Sequence, residues 1–505
     1  MESTDVTIRP VEELDVPRIA TLYRDVYGED YPFKEFYDTE WIKRGVFDNN
    51  ISWYVAVQES GRLLGSAAVM INVGDADDLV SEIGRLVVHP DARGMNLGSR
   101  LTASVVDLAD QFGDFSFAEC RTVHVGSQVI LKREGFEPVG IEPLAYDTGE
   151  YESIVFVCRL GENARILRKG RPVVIAPVFE LASLSLSRCG LPVDVTVENH
   201  PEPYPTLRER EEYELKEMNG RELIRVMRLN RDRFLNPEVF GSFRLEHGIL
   251  KLKQHDARYL VLRHGEVVLG GLGYTWDEVE RKANLFEFVA SDDRSRGTLL
   301  ERGLSFLEKT FNPRYISIDV NSHATRMQQS LHLLGFAPVV YAPSMVYVMG
   351  ERFDVIRMVK LRMEPNLRSW KLIEDFEAIS HVGERNVLET TRGHLLDESI
   401  RPVAIFKGLT DLQIGEVLAV CHERTVADGE TIFEQDSEGQ ALYLVLSGQV
   451  QISLRGREKP LTTVIPGQAF GELSLLHQRL KNLAIHVGNR LRELSEEFAD
   501  ENRMM

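Results

Sequence analysis

Cysteine is scarce in this chain: Cys120, Cys158, Cys189 and Cys421 are the only four in 505 residues. Their wide separation offers neither metal-ligand spacing nor a disulfide framework, so free or buried thiols and no metal site are expected. Long apolar runs are missing as well. The longest lies around residues 172–179, far short of the ~20 residues that span a bilayer. The opening stretch Met1–Pro10 is polar and acidic and lacks the apolar core of a signal peptide. These absences predict a cytoplasmic protein with no membrane partner. Basic excess is absent too. With 59 Lys and Arg against 78 Asp and Glu, the net charge is −19, which disfavours nucleic acid as a partner and suits a basic acceptor such as an amine.

What is present is a soluble-type composition, 43% apolar and 27% charged, on a chain long enough for about three domains. Its central stretch runs from Glu82 to Asp110. Ile83–Val88 reads as a strand, His89–Gly98 as a tight polar loop, and the apolar residues Leu97, Leu101, Val105 and Leu108 recur at helical spacing. Glycines at a helix N-terminus leave free amides, which form a ready site for a phosphate or pyrophosphate. Around this stretch fall a strand Val6–Arg9, a helix Val16–Tyr27 and a hairpin of Trp53–Gln58 with Leu63–Ile71. A strand near Phe117–Thr122, a helix Ser127–Arg133 and strands ending at Leu160 follow. The order predicts an α+β sheet with helices on its faces.

The same order returns later in the chain. Tyr259–Arg263 and Val267–Tyr274 form a hairpin pattern, followed by strand Leu285–Val289, loop Ser291–Gly297 and helix Leu299–Glu308. Strand Tyr315–Val320 and helix Thr325–Leu333 come next, and Gly135-Phe136-Glu137-Pro138-Val139 reappears as Gly335-Phe336-Ala337-Pro338-Val339. Val88 and Arg93 find counterparts in Val289 and Arg294. Between the copies a helix is expected over Val173–Ser187 and a proline-rich connector over His200–Pro205. After the second copy, Asn366–Ile379 reads as a helix and Ser380–Arg401 as a polar linker. From Pro402 onward, short strands with glycine turns at Gly429, Gly448, Gly456 and Gly467 predict an antiparallel barrel or sandwich.

Residues 5–160 and 210–363 resemble the GNAT N-acetyltransferase superfamily in element order. The family signature, Gln/Arg-x-x-Gly-x-Gly/Ala after a V-x-P strand end, is met by Val88-His89-Pro90 and Arg93-Gly94-Met95-Asn96-Leu97-Gly98. Asn96 replaces the first signature glycine, and asparagine tolerates the left-handed backbone that position needs. The second copy reads Arg294-Ser295-Arg296-Gly297-Thr298-Leu299, with Leu299 in place of Gly or Ala. The resemblance implies acetyl-CoA as cosubstrate, its pyrophosphate on the amides of Gly94–Ser99 and its pantetheine along the strand near Leu86 and Val88. The expected cofactor residues are therefore Leu86, Val88, Arg93, Gly94, Met95, Asn96, Leu97, Gly98 and Ser99. It also implies Glu82 as the base that deprotonates the amine, on the same face as Val88 by strand alternation. Ala283 matches Glu82 in the second copy, with Glu287 as an off-register alternative. Leu131 and Leu331 stand where the family often has a tyrosine as general acid, so either Tyr146, Tyr151 or water protonates the thiolate or it leaves unassisted. His124 reads as a capping or packing residue.

The C-terminal segment resembles a cyclic nucleotide-binding domain through Phe406-x-Gly408-Leu409-Thr410, Asp428-Gly429-Glu430-Thr431-Ile432 and Pro466-Gly467-x-x-Phe470-Gly471-Glu472-Leu473. Gly471, Glu472 and Leu473 would open its phosphate cassette. The family's phosphate arginine falls near Lys481, inside an amphipathic pattern from Gln478 to Ala499. Weak cyclic nucleotide binding or none is therefore expected. The whole is expected as two GNAT-like mixed sheets with flanking helices, then a β-roll with a terminal helix. The boundaries fall at residues 1–162, 163–209 (connector), 210–363, 364–401 (linker) and 402–505. The expected function is acetyl transfer to a small-molecule amine or a protein lysine. The alternative is a non-catalytic regulator that uses the acyl-CoA and cyclic nucleotide folds as sensors or scaffold.

Overall fold

A computed structural model describes residues 6–29, 31, 33–71, 80–206, 213–219, 238–240, 258–265, 267–363, 370–400, 424–434, 441–456 and 460–471, the side chains of 219 and 392–400 excepted. The chain divides into two compact units, Met1–Thr391 and Arg392–Met505.

The first unit begins with β1 (Val6–Pro10), α1 (Val16–Tyr27), α2 (Thr39–Val46), β2 (Ile51–Gln58), β3 (Leu63–Met70) and β4 (Val80–Val88). Then come α3 (Leu97–Phe112), β5 (Phe115–Arg121), α4 (Gly126–Arg133), β6 (Glu137–Asp147) and β7 (Tyr151–Leu160). Pro17 starts α1 and left-handed Gly28 (φ 71°) ends it, while Ile19, Ala20, Leu22 and Tyr23 go under the sheet. In α3 the expected stripe is buried at Leu97, Leu101 and Val105, joined by Val106 and Ala109. α1 and α2 share one apolar cluster with one face of the sheet, and α3 shares another with the opposite face.

After α5 (Ala176–Arg188) come β8 (Glu214–Asn219), β9 (Arg258–His264), β10 (Val267–Asp277), β11 (Lys282–Ala290) and α6 (Asp293–Phe311). β12 (Tyr315–Asn321), α7 (Thr325–Leu333), β13 (Ala337–Val348) and β14 (Glu351–Leu361) follow, and α8 (Glu374–Ile400) runs past the end of the unit at Thr391. The helix expected at Val173 starts later: Val173–Val174 pairs in parallel with Thr196–Val197, and Pro177 opens the helical turn.

Two separate sheets were expected; there is one. Its fourteen strands run β1-β2-β3-β4-β5-β7-β6-β13-β14-β12-β11-β10-β9-β8. Read inward from either edge, the strand order is the same, so the second half repeats the first. Even the irregularities repeat. β6 slips against β7 between Glu142 and Tyr146, β13 against β14 between Ala342 and Val346, and left-handed Leu144 (φ 53°) and Ser344 (φ 57°) mark the two bulges. The halves fuse because β6 and β13 are their innermost strands and meet at Val340 opposite Gly140. A Cβ at Gly140 would lie 2.2 Å from the Val339 carbonyl oxygen, so only glycine lets these backbones approach.

Buried charge fastens the same seam. Arg357 on β14 donates to Glu142 on β6 (2.5 Å) and, through Nε and Nη2, to Asp319 on β12 (2.9 and 3.0 Å). Arg314 donates to the Leu144 carbonyl (2.6 Å) and to Glu280 (2.5 Å). Removing one partner would strand a buried charge, which costs far more than the pair itself contributes.

The polar linker expected over Ser380–Arg401 is instead most of α8. Its apolar residues recur often enough to pack on the first unit: Phe376 enters the cluster under α3, Ile379 and Val382 that of the second half, and Val387 that of the seam. A sequence rich in charge hid this stripe.

Among the described residues, the second unit holds two short antiparallel pairs, Tyr443–Leu444 with Ala469–Phe470 and Val450–Ile452 with Thr462–Val464. Val445, Val464 and Phe470 form its small core. The four expected turn glycines all have positive φ, from 76° to 82°.

Candidate active site

β4 and β5 pair in parallel only from Val80–Glu82 with Phe115–Phe117, then part. The resulting fork leaves the backbone of Ile83–Val88 unpaired on its β5 side. On the other edge of β4, pairing with β3 slips between Ser66 and Ala68, and Arg85 takes a left-handed φ of 54°. This bulge resets the alternation of β4. Val80 and Val87 point into the cluster with α1, whereas Ile83, Leu86 and Val88 point into that with α3. Glu82 faces with its cross-strand partners Met70 and Phe117, both in the α1-side cluster. Glu82 and Val88 therefore lie on opposite faces, not on one face as simple alternation required.

The glycine loop follows. Pro90–Ala92 makes a 3-10 turn, and the His89 imidazole accepts the Asp91 amide at 3.1 Å. Gly94 (φ 87°) has open space where a Cβ would be, and Asn96 (φ 55°) takes the left-handed angle the sequence called for. No side chain caps α3, so the amides of Leu97, Gly98 and Ser99 remain available to an anion. Arg93 is exposed beside them, Met95 half-buried. Gly98 lets α3 pack on α4: a Cβ there would meet Ile130 Cδ1 at 2.9 Å.

On the α1 side, the fork opens onto charged and aromatic groups. The Tyr146 hydroxyl on β6 donates to Glu119 Oε2 on β5 at 2.6 Å. Arg121 forms a bidentate pair with Glu152 on β7 (2.6 and 2.5 Å). Burial, and then the charge of Glu119, push the Tyr146 phenol well above the ordinary tyrosine range, with Glu82 adding in the same direction. Burial lowers the Arg85 guanidinium, and the charge of Glu82 opposes that shift. Arg85 donates to Met70 Sδ (3.1 Å), while its Nε and Nη1 are buried with no acceptor among the described residues. Tyr27 and Tyr31 stack at 4.2 Å, Phe33 stands edge-on to Tyr31 and to Tyr146, and the Tyr23 hydroxyl reaches the Arg85 carbonyl at 3.3 Å. Two carboxylates from the two arms of the fork thus share a largely aromatic wall.

Glu119 escaped the sequence reading. Its signal was present: an acid two residues beyond Phe117 in a strand whose other residues are mostly buried. Lys282, from the second half, was missed as well. Its ammonium lies 4.9 Å from the Tyr146 ring centre and 4.8 Å from that of Tyr315. Leu131, at the family's tyrosine position, is buried in the α3-side cluster.

The fork of the second half is closed. β11 and β12 pair over Lys282–Leu285 with Tyr315–Ile318, but Asp292 caps α6 by accepting the Ser295 amide at 3.0 Å. A carboxylate already fills the anion position. The Tyr204 and Pro205 backbone covers Gly297, where a Cβ would lie 2.3 Å from the Pro205 oxygen. Arg296 and Arg326 hold the Tyr204 ring (5.5 and 4.5 Å). Leu299, expected to crowd a phosphate, is a core residue. Ala283 is buried, and Glu287 accepts from Tyr259 at 2.8 Å, its carboxyl raised by burial.

In the second unit, Gly471 is left-handed (φ 87°); Glu472, Leu473 and Lys481 lie outside the described residues. Among the described residues no group of three or more His, Cys, Asp or Glu side chains could hold a metal ion, and no helix is long and apolar enough to cross a membrane.

Comparison with known proteins matches two parts of the chain, one GNAT segment and one cyclic nucleotide-binding segment. The sequence model of the acetyltransferase (GNAT) family matches residues 16–136, and that of the cyclic nucleotide-binding domain matches residues 423–485. A putative ribosomal protein bS18-alanine N-acetyltransferase of Bacillus subtilis is 27% identical over 156 residues, 30% of this chain and 96% of that protein. The cyclic AMP receptor protein of Thermus thermophilus is 40% identical over 77 residues, 15% of this chain. The chain spans about a third, 36%, of the length of that receptor. A solved ribosomal-protein-alanine N-acetyltransferase of Brucella melitensis aligns over 30% of this chain and 99% of its own, with 21% identity and a TM-score of 0.27. The chain thus carries an N-terminal GNAT acetyltransferase domain and a C-terminal cyclic nucleotide-binding domain.

Proposed function

We propose that the chain is an acetyl-CoA-dependent N-acetyltransferase whose working site is the β4–β5 fork. The observation that carries this reading is the contrast between the two loops: α3 presents uncapped amides beside Gly94, whereas α6 is capped by its own Asp292. The second half is read as a degenerate copy of the same GNAT fold that has kept the sheet and given up the cofactor.

In this mechanism the pyrophosphate rests on the amides of Gly94–Ser99, and the unpaired backbone near Leu86–Val88 orients the pantetheine within the fork. Glu82, directly or through a water, takes the proton of the acceptor ammonium. The freed amine attacks the thioester carbonyl, the C–S bond breaks, the thiolate takes a proton from Tyr146 or from water, and the extra proton on the new amide nitrogen passes back to that donor. Proton transfer of this kind contributes about 10²–10⁴-fold. The acceptor is an amine of a small molecule, a protein lysine or a peptide N-terminus. Because the B. subtilis relative is described as acting on an alanine of bS18, a peptide with N-terminal alanine heads the acceptor panel.

The test has two parts. Calorimetry with acetyl-CoA should find a site in the wild-type protein; no binding would leave only the regulator reading. Mass spectrometry should then find acetylated product from one member of an amine and peptide panel. Glu82→Gln should lower turnover by about 10²-fold at neutral pH with acetyl-CoA affinity unchanged. An unaltered rate removes Glu82 from the chemistry. For the second unit, weak or absent cyclic nucleotide binding is checked by the same calorimetry with cyclic AMP.

A further inference from the structure

The fork of the first half is not built from the first half alone. Lys282 opens β11, opposite Tyr315 across the β11–β12 pair, yet its ammonium lies over Tyr146 of β6 as closely as over Tyr315. Each ring belongs to a tyrosine–glutamate pair: Tyr146 donates to Glu119 (2.6 Å) and Tyr315 to Glu142 (2.8 Å). The cation thus lies between two phenols that both point at carboxylates. Of the two carboxylates, Glu142 also accepts from Arg357 at 2.5 Å, a guanidinium it shares with Asp319. Glu119 stands on the open arm of the fork.

We propose that Lys282, supplied by the second half, is a positioning residue of the acceptor site, holding Tyr146 and Glu119 in the pose that serves the fork. This rests on reading the β4–β5 fork as the acetyl-transfer site. It gives the second half a role beyond support: having lost its own cofactor loop, it furnishes a side chain to its twin. A cation over a phenol face is worth most where water is excluded, and here the ring it grips is the one whose hydroxyl meets Glu119.

The electrostatic surroundings are defined on every side. Glu119 faces this group from β5, Glu142 from β6 and Glu280 from the β10–β11 turn, all favouring the charged ammonium. Arg314, just before β12, opposes it, and Glu82 on β4 acts on Tyr146 from across the fork. Burial is the largest influence and lowers the lysine below its ordinary range. The charged form is the one that positions Tyr146, so activity is retained below that lowered value and declines as pH rises through it. An arginine in its place stays charged throughout.

The experiment measures the pH–rate profile of full-length wild type, Lys282→Met and Lys282→Arg with the best acceptor of the panel. Lys282→Met should lose about tenfold in kcat with KM for acetyl-CoA unchanged. Lys282→Arg should restore most of that loss and move the alkaline decline to higher pH. A purely structural lysine predicts instead an unchanged alkaline limb in Lys282→Arg, and that result overturns the proposal, as does a Lys282→Met variant with wild-type kcat. Acetyl-CoA calorimetry on the same three proteins separates the failures. Binding by all three with no effect on the profile defeats Lys282 alone, whereas no binding by wild type defeats the acetyltransferase reading and this inference with it.

Discussion

Tyr146 and Tyr151 occupy adjacent rungs of the β6–β7 pair yet meet different surroundings. Tyr151 is exposed, with the Arg314 guanidinium 4.6 Å above its ring. Tyr146 faces the fork and donates to Glu119. Because burial and Glu119 raise its pKa well above the usual value, the phenol stays protonated across the neutral range and keeps a proton to give. Tyr146→Phe should therefore lower kcat by about 10²-fold, whereas Tyr151→Phe should stay within about twofold of wild type; steady-state kinetics on both variants checks this. Equal rates in Tyr146→Phe and wild type would return the leaving thiolate to solvent. At this scale the sequence was a partial guide. Glycine, asparagine and proline in the loop could be read directly, because each restricts or frees the backbone on its own. Glu119 and Lys282 could not, since their meaning depends on strands that are distant in sequence becoming neighbours in space.

At the scale of elements, the two glycine loops diverge by what surrounds them more than by their own residues. Leu299 in the second loop was visible in the sequence, but Asp292 as a cap and Tyr204–Pro205 as a cover were not. A cap is a geometric relation, and the connector lies far upstream of the Gly297 that it covers. The bulge at Arg85 is likewise a local twist that no alternation pattern announces. Its consequence is that Glu82 and the pair Leu86 and Val88 occupy opposite faces of β4, which suits the proposed fork, entered by cofactor from one side and acceptor from the other. The two loops predict one acetyl-CoA per chain. Asp292→Ala should cost about 1 kcal/mol of stability through the lost cap without creating a second site, because the Tyr204–Pro205 backbone still covers Gly297. Calorimetric stoichiometry on wild type and Asp292→Ala decides the matter; two sites in the variant would mean that the cap alone had closed the second loop.

For the molecule as a whole, the matching order of strands in the two halves was legible and their fusion was not. Matching Gly-Phe-x-Pro-Val segments foretold two similar halves, yet nothing in either segment says that β6 and β13 share a sheet. Fusion depends on the innermost backbones meeting, and that falls to Gly140. The seam is crossed by one cluster that holds Phe117 and Phe156 of the first half with Tyr315, Val339 and Val359 of the second, and by the Arg357 and Arg314 bonds. Halves so joined should unfold as one cooperative body rather than two. Gly140→Ala tests this at its tightest point. The new Cβ would lie 2.2 Å from the Val339 oxygen and 2.4 Å from the Val340 Cα, and backbone atoms on a paired strand cannot yield as a side-chain tip can. A loss of about 2–4 kcal/mol is expected. In denaturant, with intrinsic fluorescence and far-UV dichroism followed together, the variant should show an earlier midpoint for both probes. Lys282 also reaches Tyr146 across this seam, so the same variant should weaken acetyl transfer while the α3 loop, far from Gly140 along the sheet, keeps its affinity for acetyl-CoA. A Gly140→Ala protein with the wild-type midpoint would show that the two halves meet without depending on each other.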